Sequence, residues 1–334
     1  MRVLRLLILP ILLWSCSNEP NKPPASTEQL SQRPNDDHSY ANLDQINTKH
    51  LHLDLEIDFE SQTIYGIARH QMQNRGADTA IFDMKGLLIQ KVTLGPKGLE
   101  KETDFTIGPM DKDSIIGQAL LVNVEEHTSE VNIYYQTTSA SDALDWLDTN
   151  LTSSKSKPFL YTQGQAILTR TWIPLQDAPS NRLTYSADVK VPSDLLALMS
   201  AKNPTERNDI GSYHFEMKRA IPSYLIALAV GDIGFKDLGN HCGIYAEKEL
   251  LNDCVKEFED LPQMMRVAEA LYGPYQWGRY DVLVLPYSFP FGGMENPMLT
   301  FANPTLLTGD KSLVSVVAHE LAHSWSGNLV TNHS

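Results

Sequence analysis

Three residues near the end of the sequence, His319, Glu320 and His323, fall in the order H-E-x-x-H within VSVVAHELAHSWSG (314–327). On a helix, positions four apart share one face, so both imidazoles can reach one metal ion. Glu320 then lies beside that ion and can act as a base toward the attacking water. Leu313, Val314, Val316, Val317 and Leu321 predict a buried side for this helix, and Gly327 predicts its end. Thr308 or Asp310 is expected to cap its start. Upstream stands a second stretch, Gly292-Gly293-Met294-Glu295-Asn296-Pro297. Paired glycines let the backbone approach a ligand closely. The Glu295 carboxylate can hold a cationic group such as a peptide's free amino terminus.

The other end of the chain bears on location. Arg2 and Arg5 precede an apolar run from Leu6 to Trp14, the pattern of an export signal over residues 1–16. That run is too short to span a bilayer as a helix. Leu13-Trp14-Ser15-Cys16 resembles a bacterial lipobox, although Trp14 replaces the small residue usual there. The resemblance implies a lipid on Cys16, and Ser17 after it points to an outer-membrane destination in the bacterial cell envelope. Residues 17–39 are polar, rich in proline and without periodicity, as in a tether. Cys242 and Cys254 remain, and an exported pair can form a disulfide. Their spacing does not require one, and neither lies in a zinc-like pattern.

A chain of 334 residues is long enough for two domains, and 42% hydrophobic with 20% charged residues is a globular composition. A net charge of -14 excludes a nucleic-acid partner, because nothing would neutralise phosphates. Leu51, Leu53, Leu55, Ile57 and Phe59 alternate with His52, Asp54, Glu56 and Asp58, which predicts a half-buried strand. His50 and His52 beside these acids read as a solvated face, since no further ligand-like spacing follows. Strands are also expected at 63–72, 79–83, 89–94, 118–124, 131–136, 183–191 and 213–217, separated by turn signals. Residues 40–235 therefore read as an all-β domain. Residues 236–334 read as mixed α and β, with helical spacing over 246–272 interrupted by Pro262, which gives two helices or one broken helix, and a short strand at 280–285. The fold class is α+β.

Taken together, GGMENP (292–297) and HELAHSWSGNLVTN (319–332) resemble the joint signature of gluzincin zinc aminopeptidases. The wording around them is most similar to the leukotriene-A(4) hydrolase branch, in TQGQA (162–166), WIPLQDAPS (172–180), PSYLIALAVGDI (222–233) and WGRYDVLVLPYSFPFGGMENP (277–297). The resemblance covers roughly residues 48–332. It implies a saddle-like β domain followed by a thermolysin-like catalytic domain that hydrolyses peptide substrates. His319 and His323 would be ligands of one zinc ion, Glu320 the general base and Glu295 the anchor of the substrate's α-ammonium. Gln165 would line the same amino-terminal pocket, and Gly292 and Gly293 would present backbone to the substrate. Phe291 stands where that branch commonly has tyrosine. The family's third zinc ligand, a glutamate about nineteen residues after the second histidine, and its oxyanion tyrosine fall past Ser334. The expectation is thus an amino-terminal half, inactive by itself. The branch also implies epoxide hydrolysis as an alternative, and a non-catalytic surface lipoprotein is a further one.

Overall fold

The computed structural model describes residues 36–333; Cys16, the export segment and most of the tether lie outside them. In chain order the strands begin with β1 (Ile46–Asp58), β2 (Thr63–Asn74), β3 (Thr79–Met84), β4 (Leu87–Leu94) and β5 (Lys101–Thr103). They continue with β6 (Phe105–Ile107), β7 (Gln118–Asn123), β8 (Glu130–Thr137), β9 (Leu144–Leu147) and β10 (Phe159–Thr162). Next come β11 (Leu183–Lys190), β12 (Leu196–Met199), β13 (Ser212–Ile221) and β14 (Leu228–Gly231). The last are β15 (Ile233–Gly239), β16 (Cys242–Glu247), β17 (Tyr280–Val284), β18 (Gly293–Met294) and β19 (Leu299–Ala302). The helices are α1 (Leu251–Glu257), α2 (Leu261–Tyr272) and α3 (Val314–His323).

The first fourteen strands form a seven-stranded sheet (β13-β11-β1-β2-β8-β4-β5), a four-stranded sheet (β12-β14-β10-β9) and a three-stranded sheet (β3-β7-β6). Alternation dictates the largest of these: Leu51, Leu53, Leu55 and Ile57 of β1 are buried, and the polar residues between them face the other way. Each expected strand is present. The four-stranded sheet is the part that periodicity did not reveal. In β10, β12 and β14 every residue is buried, so these strands carry no alternation to read.

The five-stranded sheet, β15-β16-β17-β19-β18, starts the second part, and the boundary expected at residue 235 falls inside β15. Ala246 and Glu247, expected to begin a helix, close β16 instead. The stretch forms two helices, as expected, but Pro262 is not the break between them. It sits in the first turn of α2, where its missing N–H has no intrahelical acceptor to lose, and the break between α1 and α2 precedes it. Neither Thr308 nor Asp310 caps α3, whose N-cap position is Leu313 without a side-chain bond. Thr308 and the loop after it are tied to the buried Glu257, which accepts from Thr308 Oγ1, Gly309 N and Lys311 N at 2.8–2.9 Å. Among the described residues Cys242 and Cys254 are both buried free thiols, on β16 and α1.

Two buried polar clusters stitch the β part together. Arg170, in a 3-10 turn after β10, is 0% exposed and donates to Asp177 Oδ2, to the Asp177 carbonyl and to the Ile116 carbonyl. Asp83 lies 3.9 Å away and accepts from Ser39 Oγ, Tyr40 N and Asp177 N. His70 is likewise fully buried; its Nε2–H donates to the Pro174 carbonyl at 3.1 Å, and Nδ1 faces Thr48 Oγ1.

Burial pushes His70 down to about 3, with the Pro174 bond opposing weakly. The unfolded chain therefore takes up this proton first. The group's contribution is whole above pH 6.5 and declines as pH falls toward 3, by about 3 kcal/mol between pH 7 and pH 4. His70→Gln is expected to flatten the acid limb of a stability-against-pH curve by that amount. Parallel acid limbs in urea unfolding of the two proteins would reject the assignment.

Candidate active site

Helix α3 packs on the five-stranded sheet through Val317 and Leu321, which join Ile244, Val282, Val284 and Ala302 in one buried cluster. Its buried side is narrower than the apolar residues predict: Leu313 is exposed, and Val314 and Val316 are only half-buried. Three hydrogen bonds fix the helix axially. Tyr280 O–H donates to the Val317 carbonyl, Trp277 Nε1–H to that of Ser324, and Trp325 Nε1–H to that of Gly273. The helix ends at His323, before the expected Gly327, which adopts a φ of 124° in the turn that follows.

The i, i+4 spacing brings His319 Nε2 and His323 Nε2 to 3.0 Å. His323 Nδ1–H donates to the Ser326 carbonyl, which leaves its Nε2 as a bare acceptor pointed at its neighbour. Two nitrogens on a tetrahedral zinc stand about 3.3 Å apart, so the pair fits one ion. Both nitrogens reach solvent on one side, since His319 is exposed and His323 half-buried.

The GGMENP turn approaches α3 from the edge of the same sheet. β18 is that sheet's outer strand, paired only with β19, and the Gly292 carbonyl accepts from Asn303 N. The two glycines differ. A Cβ on Gly293 would lie 2.4 Å from Glu320 Oε1 and 2.5 Å from its Cδ and Cγ, whereas one on Gly292 would meet Val316 at an ordinary 3.4 Å. Gly293 therefore makes room for the Glu320 side chain, beyond any role in presenting backbone.

Glu295 and Glu320 are 8% and 6% exposed, and their carboxylates lie within 4.8 Å of each other and of His323. Among the described residues no hydrogen-bond donor engages either carboxylate. Burial, with the Glu295 charge second, raises Glu320 to about 7. Two buried carboxyl groups beside two converging imidazole nitrogens form a site built for cations.

Gln165 does not join them in the same way: its side chain is exposed in the loop after β10. Its neighbour Gln163 is the buried one, and its Nε2–H points at Met294 Sδ, 3.3 Å away. Spacing also missed Asn328, whose Nδ2–H donates to the Glu295 carbonyl at 2.8 Å. Arg182 holds Asn328 in turn by donating to its carbonyl.

Residues 47–225 match the Peptidase M1 N-terminal domain, and residues 257–334 match the Peptidase family M1 domain. The chain belongs to peptidase family M1. Enzymes of this family are zinc metalloproteases, in keeping with the imidazole pair. Among relatives of this M1 chain, leukotriene A-4 hydrolase of Xenopus laevis is 42% identical over 311 residues, 90% of this chain and 50% of that protein. Aminopeptidase B of Rattus norvegicus is 50% identical over 188 residues, 56% of this chain and 29% of that protein. The solved structure of yeast LTA4 hydrolase in complex with bestatin superposes with a TM-score of 0.83 at 35% identity, covering 93% of this chain and 49% of that one. The M1 chain thus spans half or less of the length of these curated relatives.

Proposed function

We propose that this protein is a zinc-dependent aminopeptidase. The observation that carries the reading is the buried, donor-free carboxylate pair Glu295 and Glu320 beside the His319–His323 nitrogens. His319 and His323 would hold the zinc, which when bound supplies a Lewis acid for the substrate carbonyl and the attacking water. Glu295 takes the substrate's α-ammonium, and the requirement for that charge restricts hydrolysis to the amino-terminal bond. Glu320 accepts the water's proton on a carboxylate oxygen and returns it to the departing amine. The open edge of β18 can pair with an extended peptide.

Epoxide hydrolysis, implied by the leukotriene-hydrolase resemblance, gains no residue from this site, whereas the carboxylate pair calls for a cationic substrate. A non-catalytic relic would keep two buried anions with nothing to compensate them. Export and a lipid on Cys16 remain part of the proposal and rest on residues 1–17 alone.

The test compares an aminoacyl-anilide with its N-acetylated form, in the shortest form of the protein that shows turnover. The free amine is expected to be cleaved about 10- to 100-fold faster, a preference that Glu295→Gln removes (charge-assisted contacts of this kind account for about 1.5–3 kcal/mol). Equal cleavage of both anilides would overturn the reading. The described residues bring two imidazoles where a catalytic zinc usually has three protein ligands. A polypeptide limited to residues 1–334 is therefore expected to hold zinc loosely and to turn over near background.

A further inference from the structure

The polar face of the seven-stranded sheet carries a second constellation, built on different strands from the one above. The parallel pairing of β1 with β11 sets His50 against Thr184, His52 against Ser186 and Asp54 against Asp188. His52, between the buried Leu51 and Leu53, points to the polar side with Asp54. His52 Nε2 lies 3.3 Å from Asp54 Oδ1 and 3.4 Å from Asp188 Oδ2, and the three atoms lie within 4.8 Å of one another. Ligand atoms about 2.1 Å from a tetrahedral ion stand about 3.4 Å apart.

The bonds behind His52 decide which ring nitrogen carries the lone pair. Thr184 Oγ1 donates to the Lys49 carbonyl, a group that only accepts, so it must accept from His50 Nδ1–H at 2.8 Å. With its proton on Nδ1, the His50 ring presents Nε2 as an acceptor. Its Nε2 then accepts from Ser186 Oγ–H at 2.9 Å, and Ser186 Oγ accepts from His52 Nδ1–H at 2.9 Å. With Nδ1–H committed to Ser186, the other ring nitrogen of His52, Nε2, faces two carboxylate oxygens. The three atoms converge, with Lys97 Nζ, 3.5 Å from Asp54 Oδ1, the one donor beside them, and a cation between them, a proton or a metal ion, makes that arrangement favourable. The outer carboxylate oxygens are already engaged, Asp54 Oδ2 by Arg69 Nε and Asp188 Oδ1 by His214 Nδ1, both at 2.8 Å.

We propose that His52 Nε2, Asp54 Oδ1 and Asp188 Oδ2 bind a second zinc ion that clips β1 to β11. One imidazole with two carboxylates is a donor set that suits zinc. The Ser186–His50–Thr184 chain orients the ligating ring, as outer-shell partners of metal-bound histidines do. Lys97 Nζ, 3.5 Å from Asp54 Oδ1, competes for the same oxygen, but this lysine is 69% exposed and free to swing away.

The test uses the 334-residue chain carrying His319→Ala and His323→Ala, stripped with a chelator and titrated with Zn²⁺ by calorimetry. One equivalent is expected to bind. Adding His52→Ala is expected to weaken it at least tenfold, and adding Lys97→Ala to strengthen it severalfold, with circular dichroism unchanged in both. Nitrogen-15 spectra are expected to show a zinc-dependent shift at His52 Nε2. No zinc uptake by the double variant, the same affinity after His52→Ala, or a His52 Nε2 signal indifferent to zinc would each overturn the proposal and leave a protonated His52 between two carboxylates.

Discussion

In the shortest form of the protein that shows turnover, Gly293→Ala is expected to lower peptide hydrolysis at least ~100-fold while leaving zinc affinity within about threefold of the parent protein. The added Cβ would sit 2.4–2.5 Å from three atoms of the Glu320 side chain, closer than carbon and oxygen can approach. The glycine is held by its β18–β19 pairing, so Glu320 has to move. Displacing a proton-transfer group by about 1 Å costs on the order of 10²-fold, and removing general-base help costs about 10²- to 10⁴-fold. His319 and His323 are untouched by the change, which is why zinc binding survives. Glu320→Gln should reproduce the same split between turnover and zinc. Gly292→Ala serves as the contrast, because its Cβ would meet only Val316 at 3.4 Å; a loss under about tenfold is expected. Steady-state kinetics with parallel zinc titrations decide the matter. Comparable losses in the two alanine variants would show that both glycines act through backbone presentation and that the contact with Glu320 is incidental.

Arg170→Met should be the most destabilising single change in the β part, by about 3–5 kcal/mol. The guanidinium is 0% exposed, and its loss leaves Asp177 and Asp83, both nearly inaccessible, without their shared cation. Burial already raises Asp83 above the usual carboxylate range even with Arg170 present, so the site has little tolerance for losing it. The loop carrying Gln163 and Gln165 runs directly into the Arg170 turn, so that loop should loosen too. Adding Asp177→Asn to Arg170→Met should recover part of the loss, because a neutral amide needs no counter-charge. Urea unfolding followed by tryptophan fluorescence measures all three proteins. A loss below about 1 kcal/mol for Arg170→Met, or none recovered in the double variant, would remove Arg170 from this role.

Residue order alone carried the metal pair, the glycine turn and most strands. His319 and His323 are four apart on one helix, and Leu51 to Ile57 alternate along one strand, so each pattern is local and repeats with a known period. The fully buried strands β10, β12 and β14 broke that rule, since a strand covered on both faces has no polar side to mark it. Helix ends were less legible. Asp310 lies close enough in sequence to cap α3, but the loop is held by Glu257, more than fifty residues earlier, and no local signal encodes that bond.

By itself, then, the sequence determined which residues could bind a metal, which carboxylate could act as base and which could hold an amino terminus. It also determined that the first part is β and that the second begins a zinc-peptidase motif. Tertiary structure alone decided that Gly293 rather than Gly292 makes room for Glu320, and that Gln163 is buried against Met294 while Gln165 is exposed. It also placed Asn328 on the Glu295 backbone and brought Asp188 beside His52 and Asp54. The reason is the same in each case. A helix or strand period relates residues a few positions apart, but contacts across 27, 33, 131 or 134 positions exist only once sheet register and packing are set.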